Sequence, residues 1–276
     1  KLIGNGTGIT YSEATTASNY YGGTPWFNAI KEFSVTFDDA ITSIGKNMFR
    51  DNVKLNGNIS ALNVSSVGDY AFKGCISMDY VSLEAVTSLG THAFEGCSTL
   101  RTVSMPATPS VSEYAFMDCT ELTSATLSVV TAIEAHSFEN SGIRSINNGE
   151  YVSLPNVTRI GDYAFAGSGI VKIVIGAESK TIDFFGDHVL HECKGLTYVD
   201  VASNLSTIPY NTFRSSSTPT TFVSPLTTLK AKKVSTFAAY LADCFRSLTT
   251  VEIDSASNLD HSNTAGMFRN CEKLNS

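Results

Sequence analysis

The sequence carries little charge. Lysine, arginine, aspartate and glutamate make up only 16% of its 276 residues, and the acids exceed the bases to give a net charge of -7. Because affinity for nucleic acids rests mainly on basic side chains that neutralise phosphates, we expect no nucleic-acid partner. The sequence also lacks any apolar run near the roughly 18 residues that a membrane-spanning helix needs, so we expect no such helix.

The usual signatures of catalytic and metal sites are also missing. The sequence contains no G-x-S-x-G nucleophile motif, no glycine-rich phosphate loop of the Walker type and no H-E-x-x-H zinc motif. Its cysteines never occur with C-x-x-C spacing, which argues against a zinc site. We therefore expect no catalytic residue, no metal and no cofactor.

Internal repetition is the strongest feature of the sequence. The stretch from Gly68 to Cys75 reads GDYAFKGC, and the stretch from Gly161 to Ser168 reads GDYAFAGS. We define the phenylalanine of this phrase, and its equivalent in each repeat, as the anchor. Successive anchors lie 22 to 28 residues apart, a spacing typical of leucine-rich repeats and too short for repeats built from two helices. The anchors are Phe49, Phe72, Phe94, Phe116, Phe138, Phe165, Leu190, Phe213, Leu241 and Phe268.

The residues around each anchor predict two corners joined by one short helical turn. Glycine recurs four residues before the anchor, as at Gly68 and Gly161, where a chain takes a positive φ or passes close to a neighbour. Glycine, aspartate or asparagine recurs two residues after the anchor, as at Gly74 and Asp118. These residue types are typical of a helix that ends in the left-handed region.

An extended segment with alternating apolar residues follows each anchor. Examples are the segments from Tyr80 to Leu83 and from Tyr198 to Val201. A period of two predicts a strand with one buried face and one solvated face. One such strand per repeat gives a long parallel sheet, in which each repeat is stabilised by its neighbours. The sequence therefore predicts a solenoid of about ten repeats.

All six cysteines lie three residues after an anchor. An even number of cysteines in an exported protein can indicate disulfides. The same position holds Asn52, Ser141, Ser168 and Ser216 in other repeats, so it accepts small residues that cannot form a disulfide. We therefore favour buried free thiols over disulfides. The cysteines are Cys75, Cys97, Cys119, Cys193, Cys244 and Cys271.

Three of the five histidines lie two residues before an anchor, where other repeats have tyrosine. A position shared by histidine and tyrosine indicates a half-buried planar ring with a polar tip rather than a metal ligand. His191 and His261 lie outside this pattern. The histidines at the shared position are His92, His136 and His188, and the tyrosines are Tyr70, Tyr114 and Tyr163.

Together these positions resemble the BspA-type leucine-rich repeat. Its pattern, L-x-x-V-x-I/L followed by V-x-x-I-G-x-x-A-F-x-x-C, is matched here by Met78 to Leu83 and Val86 to Cys97. The resemblance implies a β-rich α/β leucine-rich-repeat solenoid with a right-handed curved coil, in which each repeat has one short parallel strand and one short helical turn. Residues 1–40, with Leu2-Ile3 and Pro25-Trp26, are similar to the cap of such arrays. We expect the array to span 41–276 and to continue beyond it.

The family that the sequence resembles consists of surface-exposed and secreted proteins of host-associated bacteria and mucosal protozoa, some of them adhesins. The resemblance implies an extracellular or cell-surface location and a non-enzymatic role in protein–protein interaction or adhesion. The implied partner is a host or microbial surface protein. We expect the chain to be a monomer.

The solvated face of the strands is the candidate binding surface. Repeat solenoids bind partners along such extended faces, and aromatic residues dominate interface energetics, so Tyr80 and Tyr198 are the strongest candidates. We also expect Ser145 to lie on this solvated face. The predicted contact residues are Tyr80, Ser82, Glu84, Thr102, Ser104, Ser124, Thr126, Lys172, Tyr198, Asp200, Thr250 and Glu252.

Two other functions remain open at this point. A structural spacer that displays another domain would have no preferred face. A carbohydrate-active solenoid would need two acids on one face, and Asp200 and Glu252 are the candidates. Because one repeat separates them, strand spacing predicts a distance of about 10 Å, near the outer limit for a paired acid and base.

Overall fold

The computed structural model describes residues 2–4, 8–11, 32, 34–147, 149–209, 211–213, 224–237, 246–253 and 273. Near the N-terminus, β1 (Leu2–Gly4) pairs with β2 (Gly8–Tyr11) in antiparallel orientation, and β2 pairs in parallel with β3 (Ser34–Phe37). Strand β3 also lies against β5 (Asn56–Ala61), the first strand of the main sheet. The predicted Pro25-Trp26 segment of the cap lies outside the described residues.

Ten strands form one main sheet in which neighbours pair in parallel. The strands are β5 (Asn56–Ala61), β7 (Ser77–Leu83), β9 (Thr102–Ser104), β11 (Ser124–Thr126), β13 (Ser145–Ile146), β14 (Val152–Leu154), β16 (Lys172–Ile175), β18 (Tyr198–Val201), β20 (Thr228–Ala231) and β22 (Thr250–Ile253). Their order in the sheet is β22-β20-β18-β16-β14-β13-β11-β9-β7-β5.

Shorter strands on the second side of the solenoid form three further parallel sheets. The first contains β4 (Ser43–Ile44), β6 (Ser66–Val67) and β8 (Ser88–Leu89). The second contains β10 (Ser110–Val111), β12 (Ala132–Ile133), β15 (Arg159–Ile160) and β17 (Phe184–Phe185). The third contains β19 (Leu205–Ile208) and β21 (Val234–Phe237).

The main sheet corresponds to nine coils, where a coil is one turn of the solenoid. It has ten strands, but β13 and β14 belong to the same coil. Strand β12 of that coil pairs directly with β15 on the second side, so the extra strand is present on the main sheet alone. The predicted anchors Leu241 and Phe268 lie outside the described residues.

Six aromatic anchors stack to form the centre of the core. Neighbouring rings are parallel to within 15°, with centroids 5.1 to 5.4 Å apart. Leu190 replaces the ring in the following coil and is also buried. We call the six rings the anchor column; they are Phe49, Phe72, Phe94, Phe116, Phe138 and Phe165.

The predicted helical turn around each anchor is wrong: the described residues contain no helix. In the coil of Phe72, the amides of Ala71, Lys73 and Cys75 donate to carbonyls three residues earlier in the same coil. The alternate amides, those of Tyr70, Phe72 and Gly74, donate to carbonyls of the next coil at 2.8 to 3.0 Å.

This alternation excludes a helix, because a helix bonds each amide to a carbonyl four residues earlier in its own segment. It also explains the positive φ angles of 58° at Tyr70 and 71° at Gly74. Positive φ at two positions of a five-residue segment is incompatible with helical geometry. The segment is therefore a series of turns that binds each coil to the next.

The two glycine positions of the repeat serve different purposes. The residues two places after the anchor adopt positive φ, as predicted, with values of 55° at Asp51 and 70° at Gly96. The glycines four places before the anchor do not. A Cβ at Gly68 or Gly90 would lie 2.3 to 2.5 Å from a backbone nitrogen of the preceding coil, so close approach explains these glycines.

The prediction of buried free thiols is confirmed for the four described cysteines. Each thiol donates to the carbonyl of the anchor in the preceding coil, as Cys97 Sγ does to Phe72 O at 3.1 Å. Burial raises the pKa of Cys75, Cys97 and Cys119 well above the ordinary value of 9.0, and raises the pKa of Cys193 to about 11. These thiols are packing groups rather than nucleophiles. Cys244 and Cys271 lie outside the described residues.

The shared histidine and tyrosine position forms a second column of stacked rings, which we call the Tyr/His ladder. The rings are half-buried, as predicted, with centroids 4.4 to 5.1 Å apart and all φ angles between 54° and 59°. Nδ1 of His92 lies 2.6 Å from a Glu95 carboxylate oxygen. The ladder consists of Tyr70, His92, Tyr114, His136, Tyr163 and His188. His261 lies outside the described residues.

Candidate functional site

The outward face of the main sheet presents two rows of side chains. Strand register aligns Tyr80 with Thr102 and Ser124 in the first row, and Ser82 with Ser104 in the second. The twelve predicted contact residues lie on or directly after strands of this sheet. Glu84, Thr126 and Thr250 are exposed, and the other nine are half-buried.

The N-terminal part of this face, from β5 to β11, is rich in hydroxyl groups. The Glu84 carboxylate accepts hydrogen bonds from Ser82 Oγ at 2.6 Å and Ser104 Oγ at 3.0 Å. Its charge is therefore held by two neighbouring coils. Tyr80 is the aromatic residue among the predicted contacts on this part of the face.

A short insertion divides the face in two. The chain leaves the sheet after Ile146 and returns at Val152, and these two residues pair with each other. The Asn147 side chain takes the place of a missing carbonyl, because its Oδ1 accepts a hydrogen bond from the Leu127 amide at 2.7 Å. Ser145 was expected on the solvated face, but it is only 5% exposed and its hydroxyl has no hydrogen-bond partner among the described residues. We call residues 147–151 the inserted loop.

The C-terminal part of the face is aromatic and charged. The Lys172 ammonium lies 4.1 Å from the ring centroid of Tyr151 and 5.1 Å from that of Tyr198. An ammonium between two tyrosine rings is stabilised by cation–π attraction. Within the described residues no carboxylate forms an ion pair with Lys172. Its charge thus remains available to a ligand.

Tyr151 was not among the predicted contact residues. The signal was the 27-residue spacing between Phe138 and Phe165, where the preceding three spacings are 22. Those five extra residues correspond to the five-residue inserted loop that ends in Tyr151.

The remaining charges on this part of the face are paired. Lys230 and Lys232 lie 2.8 and 2.9 Å from the two carboxylate oxygens of Glu252. The hydrogen bond from Lys230 lowers the pKa of Glu252, and that from Lys232 lowers it further. Burial raises the pKa of Tyr198, as does the neighbouring Asp200 carboxylate, which accepts a hydrogen bond from the Tyr198 hydroxyl at 3.3 Å.

This arrangement does not favour Asp200 and Glu252 as an acid and base pair. Strand register places Lys230 between them. A general acid needs a raised carboxyl pKa, whereas that of Glu252 is lowered. In the described part of the chain, no group of three or more histidine, cysteine or acidic residues is arranged to hold a metal ion. Nor do the described residues include a helix that could cross a membrane.

Several solved structures are similar to this chain. A leucine-rich cell surface protein of Faecalibacterium prausnitzii is 20% identical, with a TM-score of 0.47 over 99% of this chain and 91% of that one. A leucine-rich repeat protein of Bacteroides ovatus is 20% identical, with a TM-score of 0.49 over 87% of this chain and 65% of that one. The leucine-rich repeat protein of T. pallidum is 18% identical, with a TM-score of 0.37 over 98% and 83% of the two chains.

Comparison with curated protein sequences gives no match. A family model described as the BspA type leucine-rich repeat region matches in six copies, over residues 42–153, 110–237 and 145–275. These matches cover well over half of the chain and include the repeats from which the resemblance was inferred. The chain therefore belongs to the BspA-type leucine-rich-repeat family.

Proposed function

We propose that this chain is a non-enzymatic, monomeric module that binds a partner protein through the outward face of its main sheet. The observation that carries the proposal is the cluster of Tyr151, Lys172 and Tyr198 on that face. Tyrosines contribute large contact areas at interfaces, and a lysine held between them adds a charge that a partner can pair with. Tyr80 supplies a second aromatic contact across the inserted loop.

The proposal includes an extracellular or cell-surface location, and a host or microbial surface protein as the partner. Membership of the BspA-type family supports this location, since the family consists of surface-exposed and secreted proteins. Surface biotinylation of the cells that produce the protein, followed by detection with an antibody, tests the location. Recovery in the unlabelled intracellular fraction alone would refute it.

The binding test is a pull-down from host-matrix and microbial-surface extracts with the immobilised chain. The double variant Tyr80→Ala with Tyr198→Ala should lose at least tenfold of the captured partner, because a tyrosine at the centre of an interface contributes on the order of 2 kcal/mol. The matched control changes Val129 and Phe184 to alanine. Both are partly exposed apolar residues outside the main sheet, 48% and 40% exposed respectively.

The outcomes separate this function from the two alternatives. Capture that falls equally in both double variants would reflect destabilisation, and unchanged capture would move the site away from this face. If the chain is a spacer, neither the wild type nor the variants will capture a partner. A carbohydrate-active solenoid would release sugars from a polysaccharide panel and lose that activity in Asp200→Asn, whereas we expect no release.

A further inference from the structure

A polar depression of about 350 Å³ lies beside the C-terminal part of the main sheet. It lies where two successive coils, with Ser141-Gly142-Ile143 and Ser168-Gly169-Ile170, are one residue shorter between anchor and strand than their neighbours. Gly142 and Gly169 pack closely against the preceding coil, since a Cβ at either would lie within 2.7 Å of a carbonyl oxygen of that coil. The depression is lined by Asn140, Arg144, Gly167, Val171, Lys194 and Gly195, among others.

Two cations border this depression. Arg144 and Lys194 are both exposed, and neither forms an ion pair with any residue that the structure describes. Lys172 directly follows the lining residue Val171 and is likewise without a carboxylate partner in the described ranges. The acid in the lining is Glu192. A second acid, Glu150, follows Arg144 by six residues and belongs to the inserted loop. Cations thus predominate locally in a chain whose net charge is -7.

The depression also contains a backbone amide of a kind that, in regular coils, donates a hydrogen bond to the preceding coil. In a regular coil the amide of Thr123 donates to the Arg101 carbonyl of the preceding coil at 3.0 Å. The equivalent amide of Val171 donates to no acceptor within the described part of the chain. The amide of Gly195, also in the lining, likewise donates to none of the described residues.

These groups select a small anion. The volume lies near the lower end of the roughly 300–1,000 Å³ typical of ligand pockets, so a group of few atoms fits better than a large cofactor. The arginine fork and backbone amides pair well with carboxylate or phosphate oxygens. Glu192 opposes a phosphate monoester, which carries a charge of about -1.5 to -2, more strongly than a carboxylate of charge -1.

We propose that the depression binds an aspartate or glutamate carboxylate from an acidic segment of a partner polypeptide. The inference rests on the proposed function, because it names the chemistry by which the strand face recognises a protein. Arg144 and Lys194 pair with the carboxylate, the free amides complete its hydrogen bonds, and the polypeptide continues over Lys172 and its flanking tyrosines.

The test is a titration of the whole chain with a fluorescein-labelled hexaglutamate peptide at low ionic strength, followed by fluorescence anisotropy. The variant Arg144→Gln with Lys194→Gln should bind at least about tenfold more weakly, as expected for the loss of charge-assisted hydrogen bonds. The matched control, Lys46→Gln with Arg101→Gln, removes the same charge from exposed pairs with Asp69 and Asp79 and should bind within about twofold of wild type.

A second pair of variants tests shape without changing charge. A Cβ at Gly195 would make ordinary contacts of 3.6 to 3.8 Å, so Gly195→Ala and Gly195→Leu should both fold. Gly195→Leu should weaken binding about tenfold by filling the depression, and Gly195→Ala should not. Far-ultraviolet circular dichroism and thermal melting verify folding of every variant.

The outcomes that overturn the proposal are distinct. Equal losses in the two charge variants would show unspecific attraction, and unchanged binding in Arg144→Gln with Lys194→Gln would exclude the depression. Displacement by oligogalacturonate at the same carboxylate concentration would exclude polypeptide specificity. If hexaglutamate fails to bind while the double variant Tyr80→Ala with Tyr198→Ala still loses captured partner, this inference fails and the proposed function stands. If hexaglutamate binds as expected while that double variant captures the partner normally, the depression binds the peptide and the proposed function fails.

Discussion

Replacing Phe94 with alanine should be among the most damaging changes that a single residue of this chain can undergo. Phe94 is fully buried and stacks on Phe72 at 5.1 Å and on Phe116 at 5.4 Å. Core substitutions of phenylalanine by alanine cost about 3–5 kcal/mol. Because this ring also makes two stacked contacts, each of about 0.5–1.5 kcal/mol, we expect a loss near the upper end, at about 5 kcal/mol.

Two matched variants show whether the ring or its volume matters. Phe94→Leu keeps most of the volume and should cost about 1–1.5 kcal/mol, because Leu190 already occupies the equivalent position in a buried state. Phe184→Ala removes a ring of the second side that is 40% exposed and lies 4.3 Å from the Arg159 guanidinium. Its loss should cost about 1 kcal/mol or less.

Equilibrium urea unfolding, followed by circular dichroism, measures these free energies. Hydrogen exchange of Phe94→Ala should show lost protection in the coils of Phe72 and Phe116 first, because coils in a solenoid are stabilised by their nearest neighbours. If Phe94→Ala costs no more than Phe184→Ala, or if protection falls uniformly along the chain, the anchor column is not the element that couples the coils.

Three further predictions concern the turns and the thiols. Tyr114→Gly should be more stable than Tyr114→Ala by about 1 kcal/mol in thermal melts, because alanine retains the strain of a φ of 58°; the usual order, with alanine more stable, would contradict this. Gly90→Ala should cost more than about 3 kcal/mol, since its Cβ would lie 2.3 Å from the Asp69 nitrogen, and a cost below 1 kcal/mol would show that the coils can separate. The raised pKa of Cys193 means that the folded thiol keeps its proton from about pH 9 to about pH 11 while the unfolded thiol loses it. Cys193 alone should therefore lower stability by about 1.4 kcal/mol per pH unit in that range, in addition to the other buried thiols, and Cys193→Ser should reduce the slope of unfolding free energy against pH by that amount.

The repeat pattern predicted the features that every coil must share. Phe72, Cys75 and Tyr70 each occupy a position whose residue type recurs, and the structure assigns each to one packing role: anchor column, buried thiol and ring ladder. Residue types recur at these positions because each coil must fit the coils on both sides. For the same reason, Leu190 could be recognised as an anchor from its position in the repeat although it is not a phenylalanine.

Two features could not be predicted from residue types alone. Five-residue segments such as the one from Tyr70 to Gly74 have the composition of a helical turn, but their alternate amides bond to the next coil, and local propensity holds no information about that partner. The inserted loop was visible as extra length, yet its position in the main sheet depends on the pairing of Ile146 with Val152. That contact arises from tertiary packing.

The division between stability and recognition in this fold explains why the sequence revealed the coil but not the partner. Outward side chains of the main sheet take no part in the backbone bonds between strands, so aligned positions such as Tyr80, Thr102 and Ser124 differ freely. The depression beside Arg144 is an exception, because there the residues that build the coil change as well. Ser141 and Ser168 replace cysteine in the same two coils whose connections lose one residue, and the inserted loop lies between β13 and β14 of the first of these coils. A change in the otherwise uniform structural positions, rather than in the variable outward ones, is therefore the better guide to a specialised site in this chain.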